Sequence, residues 1–110
     1  MAVDEQLADR IRTTLKSKGV AAGEKRMFGG IAFMIRGHMA VGIMNTGALM
    51  ARVGPEQNGA ALKEPGATQM AFRTPMIGYV TVDPGGIAGD AELEAWIDRC
   101  LAFNTTLPAK

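Results

Sequence analysis

Few side chains in this sequence are of types that do chemistry, and their spacing limits what each can do. His38 is the only histidine and stands beside Gly37 in a break between two apolar runs. A catalytic base needs a nucleophile and a third group to hold it, and a metal site usually needs two or more His or Cys ligands; a lone turn histidine supplies neither. Cys100 is the only cysteine, which excludes an internal disulfide, and it falls on an apolar helical stripe with Trp96 and Leu101, where a thiol acts as a small buried hydrophobe. The eleven carboxylates fall mostly in helix first turns, on helix surfaces and in turns, and no two are placed as a general acid and base. The expectation is a protein with no catalytic set, no cofactor and no metal ligands.

Other groups suit binding rather than reaction. Gly85-Gly86-Ile87-Ala88-Gly89 runs from a strand into a helix, where backbone N–H groups can cradle phosphate. It lacks the spacing of a dinucleotide fingerprint and the Lys-Ser/Thr of a P-loop. Arg36, Arg52 and Arg73 are candidate anion contacts if the fold brings them together; surface salt bridges are the commoner use of such residues. Residues 10–36 hold seven cations against Glu24 alone, although the whole chain carries only +1. A basic side of the molecule follows if the first helix lies beside the first strands, with Arg12, Lys16, Lys25 and Arg26 as candidate nucleic-acid contacts.

These residues need elements to position them. Ile31 to Arg36, Met39 to Met44 and Leu49 to Val53 are short apolar runs separated by Gly37-His38 and Asn45-Thr46-Gly47, the spacing of an antiparallel meander. Alternation puts Ile31, Phe33, Ile35, Met39, Val41, Ile43, Leu49, Ala51 and Val53 on one face. The other face reads Ala32, Met34, Arg36, Ala40, Gly42, Met44, Met50 and Arg52. It is small and Met-rich, so a second helix or a partner chain is expected to cover it. Met34, Met44 and Met50 are the candidate partner contacts, because flexible thioethers suit adaptable surfaces.

Around the meander, Val3, Leu7, Ile11 and Leu15 mark a first helix that ends near Gly19. Arg26-Met27-Phe28 is a short first strand broken by Gly29-Gly30. A short middle helix runs from Pro55 to about Lys63, and Thr68 to Phe72 and Gly78 to Val82 are further strands, with Pro75 confined to an edge or bulge. Leu93, Trp96, Ile97, Cys100 and Leu101 give a last helix capped by Asp90 that fades near Asn104. The fold class is α+β: one antiparallel sheet of about five to six strands with an N-terminal, a short middle and a C-terminal helix. At 47% hydrophobic and 21% charged residues the chain is globular, and 1–110 reads as one domain. No apolar run approaches the roughly 20 residues of a membrane span, and no signal region opens the chain, so a cytoplasmic location is expected.

Lys25-Arg26-Met27-Phe28-Gly29-Gly30-Ile31-Ala32-Phe33 and Leu49-Met50-Ala51-Arg52-Val53-Gly54-Pro55-Glu56 resemble the pattern of the TfoX/Sxy N-terminal domain family. Pro75 to Pro84 and the closing helix to Leu107-Pro108 are similar to its short single-domain members, and the resemblance covers about nine tenths of the chain. It implies an α+β domain with an antiparallel sheet between helices. Its name-giving members are cytoplasmic competence regulators acting with a cyclic-AMP receptor-type activator at promoters. They carry a second, C-terminal helical domain, which is not expected here, and the family supplies no catalytic residues. The reading is therefore a small interaction module, monomer or homodimer, that binds a protein partner such as a transcription factor. The alternatives are direct nucleic-acid binding through residues 10–36 and a small anionic-ligand binder or enzyme.

Overall fold

The computed structural model describes residues 5–27 and 29–108, without the side chains of Met27 and Phe72. Leu7, Ala8, Ile11 and Leu15 recur at helical spacing and form the buried stripe of α1 (Glu5–Ser17). The helix closes where Gly19, at φ 71°, lets the Val20 N–H reach back to the Leu15 carbonyl and its own N–H reach that of Lys16. The expected Val3 and Phe28 positions lie outside the described residues.

Six strands follow: β1 (Gly23–Met27), β2 (Gly30–Ile35), β3 (His38–Ile43), β4 (Leu49–Arg52), β5 (Ala67–Phe72) and β6 (Thr74–Val82). They form one antiparallel sheet in the order β1-β2-β3-β4-β6-β5. Between β4 and β5 sits the short α2 (Asn58–Ala61), reduced to the middle of the expected span. A 3-10 turn over Pro84–Ile87 leads into α3 (Asp90–Asn104). Its N-cap is Gly89, not Asp90; Asp90 opens the first turn and pairs with Arg10 at 3.3 Å.

Cross-strand partners in an antiparallel pair share a face, so the register identifies the core. Ile31, Ile43, Leu49 and Val82 form one row, and Phe33, Val41, Ala51 and Val80 the next. Against them pack α1, Ala61 of α2, Ile87, and Leu93, Trp96, Ile97 and Cys100 of α3, all in one buried cluster. The sheet is thus covered by helices on one face, whereas the family resemblance implied helices on both.

Two details depart from simple alternation. The β2–β3 turn is Arg36-Gly37, one residue earlier than expected, with φ of 56° and 85°, the left-handed pair that a two-residue hairpin needs. His38 consequently enters β3 opposite Ile35. Between Phe33 and Met34 the register then slips, because Phe33 faces Val41 while Met34 faces Met39. The surplus residue is Ala40, which joins the core cluster, and Met39 crosses to the opposite face. Both assignments reverse the alternation expected from the sequence.

Candidate protein-interaction surface

The helix-free face is built from the same register. Lys25, Ala32, Gly42, Met50, Thr81 and Thr68 form a row across all six strands. Its centre is a floor of small residues. A Cβ on Gly42 would lie 2.9 Å from the Ile31 carbonyl oxygen and 3.0 Å from the Met50 methyl, so the absent side chain is what lets Met50 lie over the sheet. Gly30 is held as closely, with no room for a Cβ beside the Ile43 carbonyl. Met34, Met39, Met44, Met50 and Met70 are all half-buried. A depression of about 290 Å³ opens there, lined by Gly30, Ala32, Met44, Asn45, Met50 and Met70 among others.

Met34, Met44 and Met50 therefore occupy the face on which they were expected. Met39 and Met70 join them, and the sequence alone did not place them there. Met39 is carried over by the β3 irregularity, and Met70 belongs to a strand whose neighbour in the sheet, β6, follows it only after a further irregular turn.

The basic segment has a different fate. The Arg12 guanidinium donates to both Glu24 carboxylate oxygens, at 2.6 and 2.7 Å, and to Asp9 at 2.6 Å. The bond from Arg12 holds the Glu24 carboxyl below its ordinary value, and reciprocally Glu24 and Asp9 hold Arg12 more firmly protonated. Arg26 pairs with Glu5 at 3.0 Å, and Lys18 pairs with Asp98 and Glu94 at 2.8 and 2.9 Å. Lys16 and Lys25 are exposed and carry no ion pair among the described residues. The local excess of cations is thus largely met by acids from α1, β1 and α3.

Arg36 and Arg52 each meet other groups of the chain. Arg36 donates to the Asn104 carbonyl at 2.9 Å, an acceptor at the C-terminus of α3 that it shares with the Leu107 N–H. Arg52 stacks with its guanidinium carbon 5.4 Å from both the Tyr79 and the Phe103 rings. Arg73 stands in the β5–β6 connection at φ 70°. Beside Gly85-Gly86 a depression of about 270 Å³ is lined by Glu64, Glu92, Trp96 and Arg99 among others. Arg99 there is held by Glu64 at 2.8 Å, and the Glu92 carboxylate lies where a side chain on Gly89 would be. An anion at the start of α3 would meet these two carboxylates.

The two singular side chains are also in structural use. The His38 ring is hydrogen-bonded to the Pro108 carbonyl at 2.7 Å. Cys100 is buried in the core, and burial pushes its thiol up to about 12. Among the described residues no helix is long and apolar enough to cross a membrane, and no group of three or more His, Cys, Asp or Glu is placed to hold a metal ion.

No curated protein and no solved structure matches the chain. A scan of family models matches residues 15–104 to the TfoX N-terminal domain, a span that takes in the whole sheet, α2 and α3, and the chain belongs to the TfoX N-terminal domain family.

Proposed function

We propose that this domain is a non-enzymatic interaction module whose Met-rich sheet face receives a protein partner, with a transcription factor as the kind of partner its family suggests. One observation carries the reading: five half-buried methionines share the sheet face that no helix covers, around a floor of alanine and glycine. Thioethers are apolar and torsionally adaptable, so such a face can mould to a partner without exposing charge to desolvation. The structural employment of His38 and the burial of Cys100 support a role without covalent chemistry. The ion-paired state of Arg12 and Arg26 supports a protein rather than a nucleic-acid partner.

The test is affinity capture from native cell extract with the tagged domain, compared with Met34→Glu and Met44→Glu. Both variants are expected to keep the far-ultraviolet circular dichroism and melting behaviour of the parent while losing a salt-resistant protein partner. Unfolding of both would mean that the face serves as core, and capture unchanged by either substitution would move the contact elsewhere.

A further inference from the structure

The two edges of the sheet are chemically unlike. At one edge β1 reads Gly-Glu-Lys-Arg-Met, and Glu24, Lys25 and Arg26 are exposed. Charged edge residues are a usual device for keeping strands from pairing with another chain. At the other edge β5 reads Ala-Thr-Gln-Met-Ala-Phe, six residues with no charge and no proline. Thr68 and Ala71 are exposed, and among the described elements β5 packs extensively only against β6.

The backbone of β5 is available on its outer side. The Asp83 N–H donates to the Gly66 carbonyl at 3.0 Å, which makes Ala67–Val82 a non-hydrogen-bonded pair. By the alternation of an antiparallel ladder, Thr68 then directs its N–H and C=O to β6, and Gln69 directs its own away from the sheet. The register irregularity between Gln69 and Ala71 places its surplus residues on β6, where Met76 to Tyr79 span the gap. The Gln69 amide closes that gap by donating to the Met76 and Tyr79 carbonyls, each at 2.9 Å. Ile77, the one large hydrophobic more than half exposed among the described residues at 56%, stands on the same hairpin.

We infer that β5 is a self-association edge, pairing antiparallel with β5 of a second copy of this chain. Charge selects this occupant. A two-fold axis sets each residue of the strand against one of its own, so any charged strand risks like charges face to face, and β5 has none. The net charge of +1 adds little long-range repulsion between copies. A register centred on Gln69 pairs its outward N–H and C=O with those of the second copy, sets Thr68 opposite Met70 and joins the two sheets into one, with Met70 of each copy at the seam between the Met-rich faces. This association is separate from the partner binding proposed above and is tested without any partner.

Mass is measured by light scattering on the isolated chain over roughly 10 to 500 µM, because a self-association equilibrium shifts with protomer concentration. The expected result is a rise from monomer toward dimer. Thr68→Lys/Ala71→Lys and Thr68→Glu/Ala71→Glu each remain monomeric over the same range with melting temperatures near the parent's, and an equimolar mixture of the two recovers the dimer. A parent that stays monomeric throughout overturns the inference, as do charged variants that dimerise like the parent. If the variants fail to fold, hydrogen exchange on the parent decides: slower exchange at Gln69 in the concentrated sample upholds β5 pairing, and exchange independent of concentration overturns it.

Discussion

Asn58 and Asn104 are the buried polar side chains among the described residues, and each closes a gap that regular structure leaves open. Asn58 accepts from the Gly78 N–H at 2.8 Å and donates to Gln69 at 2.6 Å, bridging α2 to the irregular part of β6. Asn104 donates to the Ile35 carbonyl at 3.0 Å and so fastens the end of α3 to the end of β2. Asn104→Ala is expected to lower the unfolding free energy by about 1–3 kcal/mol, the cost of an unpaired buried acceptor, read from urea denaturation. Cys100 yields a second prediction. Its folded thiol is raised from the ordinary 9.0 to about 12, so the stability linked to it is complete below pH 9 and declines as pH rises toward 12. Cys100→Ala should flatten that alkaline decline, and in the parent at pH 8 a thiol reagent should react only at the rate of unfolding.

At the scale of elements, two contacts set how helices meet the sheet. The Arg12–Glu24 pair ties α1 to β1, and its acid dependence follows from the lowered Glu24 value. The contribution is present above the ordinary value of 4.5 and is lost as pH falls through the lowered one. Glu24→Gln should therefore remove a small part of the acid sensitivity, a shift of at most a few degrees in melting temperature, because the pair is solvent-screened. Gly54, at φ 87°, lies directly under the Phe103 ring, with no room for a Cβ. Gly54→Ala is expected to destabilise by at least about 1 kcal/mol through strain and overpacking, again measurable in urea. The order of elements was legible in the sequence because apolar periodicity and glycine breaks are local signals. The β2–β3 turn was not, since Arg36 adopts a left-handed conformation that its type does not advertise.

For the whole molecule, the distribution of charge depends on which elements touch. Residues 10–36 are strongly cationic along the chain, yet Glu5, Asp9, Glu24, Asp90, Glu94 and Asp98 return to neutralise Arg10, Arg12, Lys18 and Arg26 in space. A field assembled from paired charges attracts a polyanion weakly. A fluorescent DNA duplex is therefore expected to show no anisotropy change with this domain at about 150 mM salt, where the Debye length is about 8 Å. Binding that falls steeply with salt would restore the nucleic-acid reading.

The sequence by itself determined the order of the elements, the family and the chemistry of the β2 and β4 faces, because period-two and period-3.6 patterns, capping residues and turn glycines act over a few neighbouring residues. Tertiary structure alone decided that all the helices share one face and leave the Met-rich one open. It also decided that the β3 irregularity moves Met39 onto that face and Ala40 off it, and that β5 rather than β1 is the uncharged edge. Each of these depends on pairing between residues far apart in the chain, where a register shift of one residue turns a side chain from one face to the other.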